Sequence, residues 1–187
     1  KPIKYFENKG SAQCKSAVMF AALNTLGQTI IKAKKSRNHS ELLFKYLKLP
    51  IKIIKRNKYD LIKVIGKRNI PALNYKIPSD ISSATFFIIL TALAKNSSLK
   101  IKNVNINPSR MGAFYILKLM GIKIAKLNVK NYKGEKIADL FIKSTNKIKP
   151  INCPIKFNSS AIDEFLLIFL VAAKANGISY FKNLSEL

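Results

Sequence analysis

The sequence has no tryptophan, one histidine, two cysteines and seven glycines, and only nine of its 187 residues are acidic. Each scarcity excludes something. Cys14 and Cys153 are too few for a disulfide framework. Together with His39 they form no metal-ligand cluster, so no metal is expected. The glycines are dispersed. No G-x-S-x-G, G-x-G-x-x-G or Walker loop results, which argues against serine-nucleophile, dinucleotide and P-loop chemistry. No apolar run reaches the roughly 18 residues that cross a membrane. No signal peptide is evident either, so a cytoplasmic protein without a membrane partner is expected. The chain opens on Lys1 rather than a methionine, which reads as an internal piece of something longer.

What abounds is lysine. The formal net charge is +25, yet all but four of the 34 basic residues are lysine, the exceptions being Arg37, Arg56, Arg68 and Arg110. Arginine is the usual reader of guanine edges and phosphates. The lysines are also scattered through every segment, which favours a solvated basic surface over a nucleic-acid face. A general attraction for anionic substrates survives either way. A hydrophobic content of 48% is enough for a real core.

One stretch organises the rest. Ser11-Ala12-Gln13-Cys14-Lys15-Ser16-Ala17 reads as a polar loop opening into a helix capped by Ser11. From Cys14 to Leu23 almost every residue is small or apolar, so this helix is expected to be buried all round, with Cys14 in the core. A helix start offers free N–H groups and the positive end of a dipole to an anion. Ser11 and Gln13 either add hydrogen bonds to such a ligand or serve only as cap and solvated side chain. The pattern recurs at Asp80-Ile81-Ser82-Ser83-Ala84 and at Ser159-Ser160-Ala161-Ile162-Asp163-Glu164, each ahead of an apolar run. Starts spaced by roughly 70 to 80 residues suggest duplicated supersecondary units. Three such starts are expected to face one site.

In order, residues 1–9 read as extended, 29–34 as a strand, and Asn38 with Glu41 as a capping box opening an amphipathic helix. Two alternating strands at 51–55 and 59–65 flank a hairpin turn at Arg56-Asn57-Lys58. The order then repeats. A strand is expected at 73–77, then a helix from Ile81, then a strand at 99–106 whose alternation slips by one at Asn103. Asn107-Pro108-Ser109-Arg110 starts a helix ending at Gly121. Strands at 122–127 and 137–143 follow, then a third unit with strands at 151–155 and 178–181. The unit is thus strand, helix, strand, helix, two strands: an α/β (α+β) fold of two globules built from repeated βαβαββ units, partial here. Pro78-Ser79-Asp80 marks the boundary, with 1–77 finishing one globule and 78–187 beginning another. A ligand is expected in a cleft between globules.

Asp163 and Glu164 in a first helical turn either stabilise the dipole or supply a general base at a cleft. Arg37 and Arg110 stand at helix starts, where a cation opposes the dipole. An anionic ligand would favour them there; plain surface charge is the other reading of Arg37.

Taken in order, Ser11-Ala12-Gln13-Cys14-Lys15-Ser16-Ala17, Ser36-Arg37-Asn38-His39-Ser40-Glu41, Pro78-Ser79-Asp80-Ile81-Ser82-Ser83-Ala84, Asn107-Pro108-Ser109-Arg110-Met111-Gly112 and Ile162-Asp163-Glu164 resemble the 3-phosphoshikimate 1-carboxyvinyltransferase family, also called 5-enolpyruvylshikimate-3-phosphate synthase, in its glyphosate-insensitive bacterial type. The resemblance covers essentially the whole chain and implies two globules of βαβαββ units with helices buried under sheets. It implies that Ser11, Ala12, Gln13 and Arg37 bind shikimate 3-phosphate, and that Gln13 also reaches phosphoenolpyruvate. It makes Asp163 both a shikimate ligand and the base for the 5-hydroxyl. That hydroxyl adds to the enolpyruvate and phosphate is then eliminated, in the shikimate route to chorismate and the aromatic amino acids. No cofactor is implied, and a monomer is expected for the complete protein. The family has a Lys-Ser…Arg substrate loop that would precede Lys1, and Lys, Glu and Arg residues of the phosphoenolpyruvate clamp that would follow Leu187. Ser79 stands where the family usually has glycine. The alternatives are the sister enolpyruvyl transferase acting on UDP-N-acetylglucosamine, and a basic RNA-binding module motivated by the charge. The RNA reading lacks aromatic-basic recognition motifs.

Overall fold

Alternation builds the first sheet. In β2 (Gln28–Lys34) Thr29, Ile31 and Ala33 turn inward while Gln28, Lys32 and Lys34 stay in water. β2 runs parallel to β1 (Lys4–Glu7) and antiparallel to β4 (Tyr59–Ile65), which also pairs with β3 (Ile51–Lys55). The order is β1-β2-β4-β3. Ile31 lies opposite Ile62, and both pack with Val64 into a core completed by α1 (Ala12–Leu23) and α2 (His39–Tyr46) through Met19, Leu23 and Phe44. The computed structural model describes residues 1–66 and 69–185. Lys67, Arg68, Glu186 and Leu187, which fall within the two expected globules, lie outside them.

The second half repeats the plan: α3 (Ile81–Leu93), β5 (Ser98–Asn105), α4 (Gly112–Leu119), β6 (Ile124–Tyr132), β7 (Glu135–Lys143), and α5 (Phe165–Ala172) after two 3₁₀ turns. The sheet order is β5-β7-β6, all antiparallel. The slip at Asn103 is a β-bulge: register shifts between Ile101 and Val104, and Asn103 takes φ +52°. β6 has a matching shift between Leu127 and Lys130, with Asn128 at φ +51°. Buried Asp139 on β7 ties both bulges, accepting from the Asn103 N–H at 3.0 Å and from Asn128 Nδ2 at 2.8 Å.

Three expected strands do not form. Residues 73–77 carry no ladder, and only Ser79 makes a parallel bridge, to Val104. Residues 151–155 and 178–181 contribute a single bridge, Asn152 to Tyr180. Pro71 and Pro78 flank the first segment, while Pro150 and Pro154 bound the second. Each removes a donor that a ladder needs.

The chain divides into two units, Lys1–Tyr75 and Lys76–Leu187. Lys76 and Ile77, expected in the first globule, fall in the second. The Lys76 N–H donates to Tyr132 Oη at 3.1 Å, and the Ser79 bridge follows immediately.

The apolar helices are not buried all round. In α1 only Lys15, Met19, Ala22 and Leu23 are buried, and Cys14, expected in the core, is exposed. Phe86, Phe87 and Leu90 of α3 and Leu166 and Leu170 of α5 also face outward. Within its own unit α1 packs on β1, β2 and β4 and α3 on β5 and β7, whereas α5 packs on α3 and α4. No helix among the described residues is long and apolar enough to cross a membrane.

Candidate functional site

At the start of α1, Ser11 has extended backbone (φ −77°, ψ 115°) and its Oγ accepts the Cys14 N–H at 3.2 Å. Ser11 and Ala12 are half-buried and Gln13 is exposed. The approach is held from beneath. Glu7 is buried, and its carboxylate accepts the N–H groups of Lys9 (2.9 Å) and Gly10 (2.8 Å). Gly10 sits at φ +83°, in left-handed space that a side chain would strain. Beside this start runs the turn at 36–38, with Arg37 half-buried in it. Ser16 and Ser40 hydroxyls meet at 2.6 Å. The Lys15 ammonium lies 2.7 Å from Glu41 Oε1, 2.9 Å from Ser36 Oγ and 2.7 Å from the Arg37 carbonyl oxygen.

The expected capping box is absent: Asn38 caps α2 without a side-chain cap bond, and Glu41 turns inward to Lys15. A buried ammonium outcompetes one backbone N–H for that carboxylate. Lys15 stands alone in an apolar run. A lysine in such a run is itself the signal, because a buried one needs a carboxylate.

In the second unit, polar residues from three elements converge. Asp80 caps α3, accepting from the Ser83 N–H at 2.9 Å and the Ser83 hydroxyl at 3.2 Å. Arg110 Nη1 pairs with Asp80 Oδ1 at 2.8 Å, and Nη2 lies 3.8 Å from Asp163 Oδ2. Arg110 also donates to Ser82 Oγ, and the Ser82 hydroxyl donates to Glu164. Burial alone would raise the Asp80 pKa; the Ser83 N–H and then the Arg110 charge outweigh it and hold the carboxyl below its ordinary value. The anion that a cation at a helix start calls for is therefore, at Arg110, supplied by the chain's own carboxylates. Asp163 occupies a 3₁₀ turn at Ile162–Glu164, with its side chain 44% exposed, whereas neighbouring Glu164 is buried.

Two of the three similar starts thus meet, those of α3 and of the Asp163 turn. The start of α1, with Ser11, Ala12, Gln13 and Arg37, belongs to the other unit. Chemically, the α1 start presents donors suited to hydroxyl and phosphate oxygens. The second cluster presents an accessible carboxylate able to accept a proton beside a cation. Among the described residues, no three His, Cys, Asp or Glu side chains gather as a metal site would require.

This geometry has known counterparts. The family model described as EPSP synthase (3-phosphoshikimate 1-carboxyvinyltransferase) matches residues 1–187. The 3-phosphoshikimate 1-carboxyvinyltransferases of Petrotoga mobilis and Caldicellulosiruptor saccharolyticus are 36% and 39% identical, each over the whole chain. The chain spans 42% and 43% of their respective lengths. EPSP synthase from Acinetobacter baumannii superposes with a TM-score of 0.83 at 34% identity, over 95% of this chain and 40% of that one. The enolpyruvyl transferase NikO from Streptomyces tendae shares the fold at TM-score 0.64 and 16% identity, over 95% of this chain and 43% of that one. With its βαβαββ first unit, its Ser11-capped helix start and a family match along its whole length, the chain belongs to the EPSP synthase family.

Proposed function

We propose that this chain takes part in transferring the enolpyruvyl group of phosphoenolpyruvate to the 5-hydroxyl of shikimate 3-phosphate, with release of phosphate. In this reading the first unit closes one globule of the whole protein and the second opens the other, and the working protein is a cytoplasmic monomer. Ser11, Ala12, Gln13 and Arg37 hold shikimate 3-phosphate, and Gln13 also reaches phosphoenolpyruvate. Asp163 removes the proton of the 5-hydroxyl as its oxygen adds to the enolpyruvate, and phosphate then leaves. The observation that carries the reading is the family match over all 187 residues, because it spans both the Ser11 start and the Asp163 turn. Relatives 36–39% identical, named for this acceptor, favour it over the UDP-N-acetylglucosamine alternative.

The test begins with binding. In a completed enzyme, Arg37→Ala removes one charge-assisted contact to the substrate phosphate, worth about 1.5–3 kcal/mol, so calorimetry should show shikimate 3-phosphate bound roughly tenfold or more weakly. Unchanged affinity rejects the Arg37 assignment. Transfer is then assayed in a chimera carrying this chain in place of the matching 40% of the Acinetobacter baumannii enzyme. Phosphate release with shikimate 3-phosphate and none with UDP-N-acetylglucosamine is the expected outcome.

A further inference from the structure

We infer that Lys15 is a positioning residue: its buried ammonium locks the turn at 36–38 against the first turn of α1 and so sets where Arg37 stands beside Ser11 and Gln13. The inference rests on the proposed function, which makes Arg37 a ligand of the substrate phosphate.

An ammonium has three N–H donors, and that of Lys15 meets three acceptors: Glu41 Oε1, Ser36 Oγ and the Arg37 carbonyl oxygen. The side chain is 3% exposed, so no donor depends on solvent. Two of those acceptors lie in the turn that carries Arg37. A buried ion pair is weak evidence of stabilisation, since desolvating two charges offsets much of their attraction. Nor is this pair optimised as one, because Glu41 Oε2 accepts no hydrogen bond from the described residues. What the arrangement does secure is geometry: one rigid helix position grips the backbone at Arg37 itself, and the Ser16–Ser40 contact braces the other side of the same junction.

The second unit shows a different device at the matching place. There Asp80 stands where Ser11 does, as helix cap, and Arg110 stands at the next helix start, as Arg37 does. Four residues beyond the cap the second unit has Ala84, where the first has Lys15. Arg110 is fixed through its side chain, by ion pairing to the cap carboxylate. The cap of α1 is a neutral serine, which offers no such pair. Lys15 takes the turn by its backbone carbonyl instead.

The experiment compares the parent chain with Lys15→Met, Lys15→Met/Glu41→Gln, Arg37→Ala, and the last two combined. The double change leaves no unpaired buried charge, so it retains the fold if the single change does not. Amide exchange reports the turn without any ligand. In the double variant, exchange at 36–40 is expected to quicken roughly tenfold while β2 and β4 stay protected, which a general loss of stability would not produce. Shikimate 3-phosphate is expected to bind roughly tenfold more weakly, and adding Arg37→Ala should cost little more, because both changes act through one contact. Parent-like exchange and affinity in the double variant, beside a weakened Arg37→Ala, overturns the positioning role alone. A parent chain that does not bind shikimate 3-phosphate, or an Arg37→Ala that binds as the parent does, overturns the proposed role of Arg37 and this inference with it.

Discussion

Asp163 and Glu164 are chain neighbours with opposite surroundings. Glu164 is buried and accepts the Ser82 hydroxyl, so it is committed to structure. Asp163 is open to solvent with Arg110 at 3.8 Å. If Asp163 is the general base, Asp163→Asn in the chimera keeps the shape but cannot accept a proton. kcat should fall by about 10²–10⁴ with binding largely kept. If it only stabilises a helix dipole, the change costs about 1 kcal/mol or less and turnover stays near normal; kcat and Tm on the same variant separate the two. Asp139 makes a pH prediction. The Asn103 N–H, then the Asn128 amide, and further Lys100, hold its carboxyl at about 2 against an ordinary 3.8. A pKa lowered by folding stabilises the protein above the unfolded value and loses that contribution as pH falls through the folded one. The Tm advantage of the parent over Asp139→Asn should therefore be full above about pH 5 and shrink between about pH 4 and pH 2. An advantage that grows on acidification contradicts the bulge-tying role.

At the scale of elements, the Asp163 turn owes its place to α4. Gly112 opens that helix against the preceding 3₁₀ turn (Ile155–Ser160). A Cβ there would stand 2.5 Å from Ser160 Oγ and 2.7 Å from the Ala161 nitrogen. The Ala161 neighbour is backbone, so the contact is relieved only by moving the segment that leads into Asp163. Gly112→Ala is expected to destabilise the chain by about 1–3 kcal/mol through overpacking. Amide chemical shifts should change most at 160–165, and a variant melting as the parent does with unmoved shifts would show this packing to be loose. Pairing at the element level was less legible. Hairpin β3–β4 follows from its alternation and turn, whereas a proline-flanked apolar run looks like a strand until the ladder partner is known.

For the whole molecule, charge and apolar surface pull in opposite directions. In the second unit Phe86 (60% exposed), Phe87 (57%) and Leu90 (66%) of α3, and Leu166 (73%) and Leu170 (51%) of α5, leave apolar faces in water. Faces of this kind drive association, while a net charge of +25 opposes it until salt screens the repulsion. Light scattering of the 187-residue chain is therefore expected to rise with salt, and Phe87→Glu with Leu166→Glu should abolish the rise. Nucleic-acid binding carries the opposite sign, since affinity falls steeply with salt. Association that weakens on adding salt would favour the charge-driven reading.

The local features of this protein were determined by the sequence itself. Ser11 and Asp80 cap because a short polar side chain before an apolar run satisfies its own backbone, and Asn107 does the same for the 3₁₀ turn Pro108–Arg110. The βαβαββ order of the first unit follows from periods of two and 3.6, and the family from motifs in order. Tertiary structure alone decided the long-range polar contacts. Lys15 meets the Arg37 carbonyl 22 positions away, and Ser82 meets Glu164 82 positions away. Tertiary structure also decided that Arg110 is answered by Asp80 and Asp163, and that α1 keeps one face in water with Cys14 on it. The reason is physical. A cap or an alternation is satisfied within a few residues, so the sequence displays it. A buried ammonium is satisfied only by whatever the fold brings within about 3 Å, and that depends on how separate elements pack.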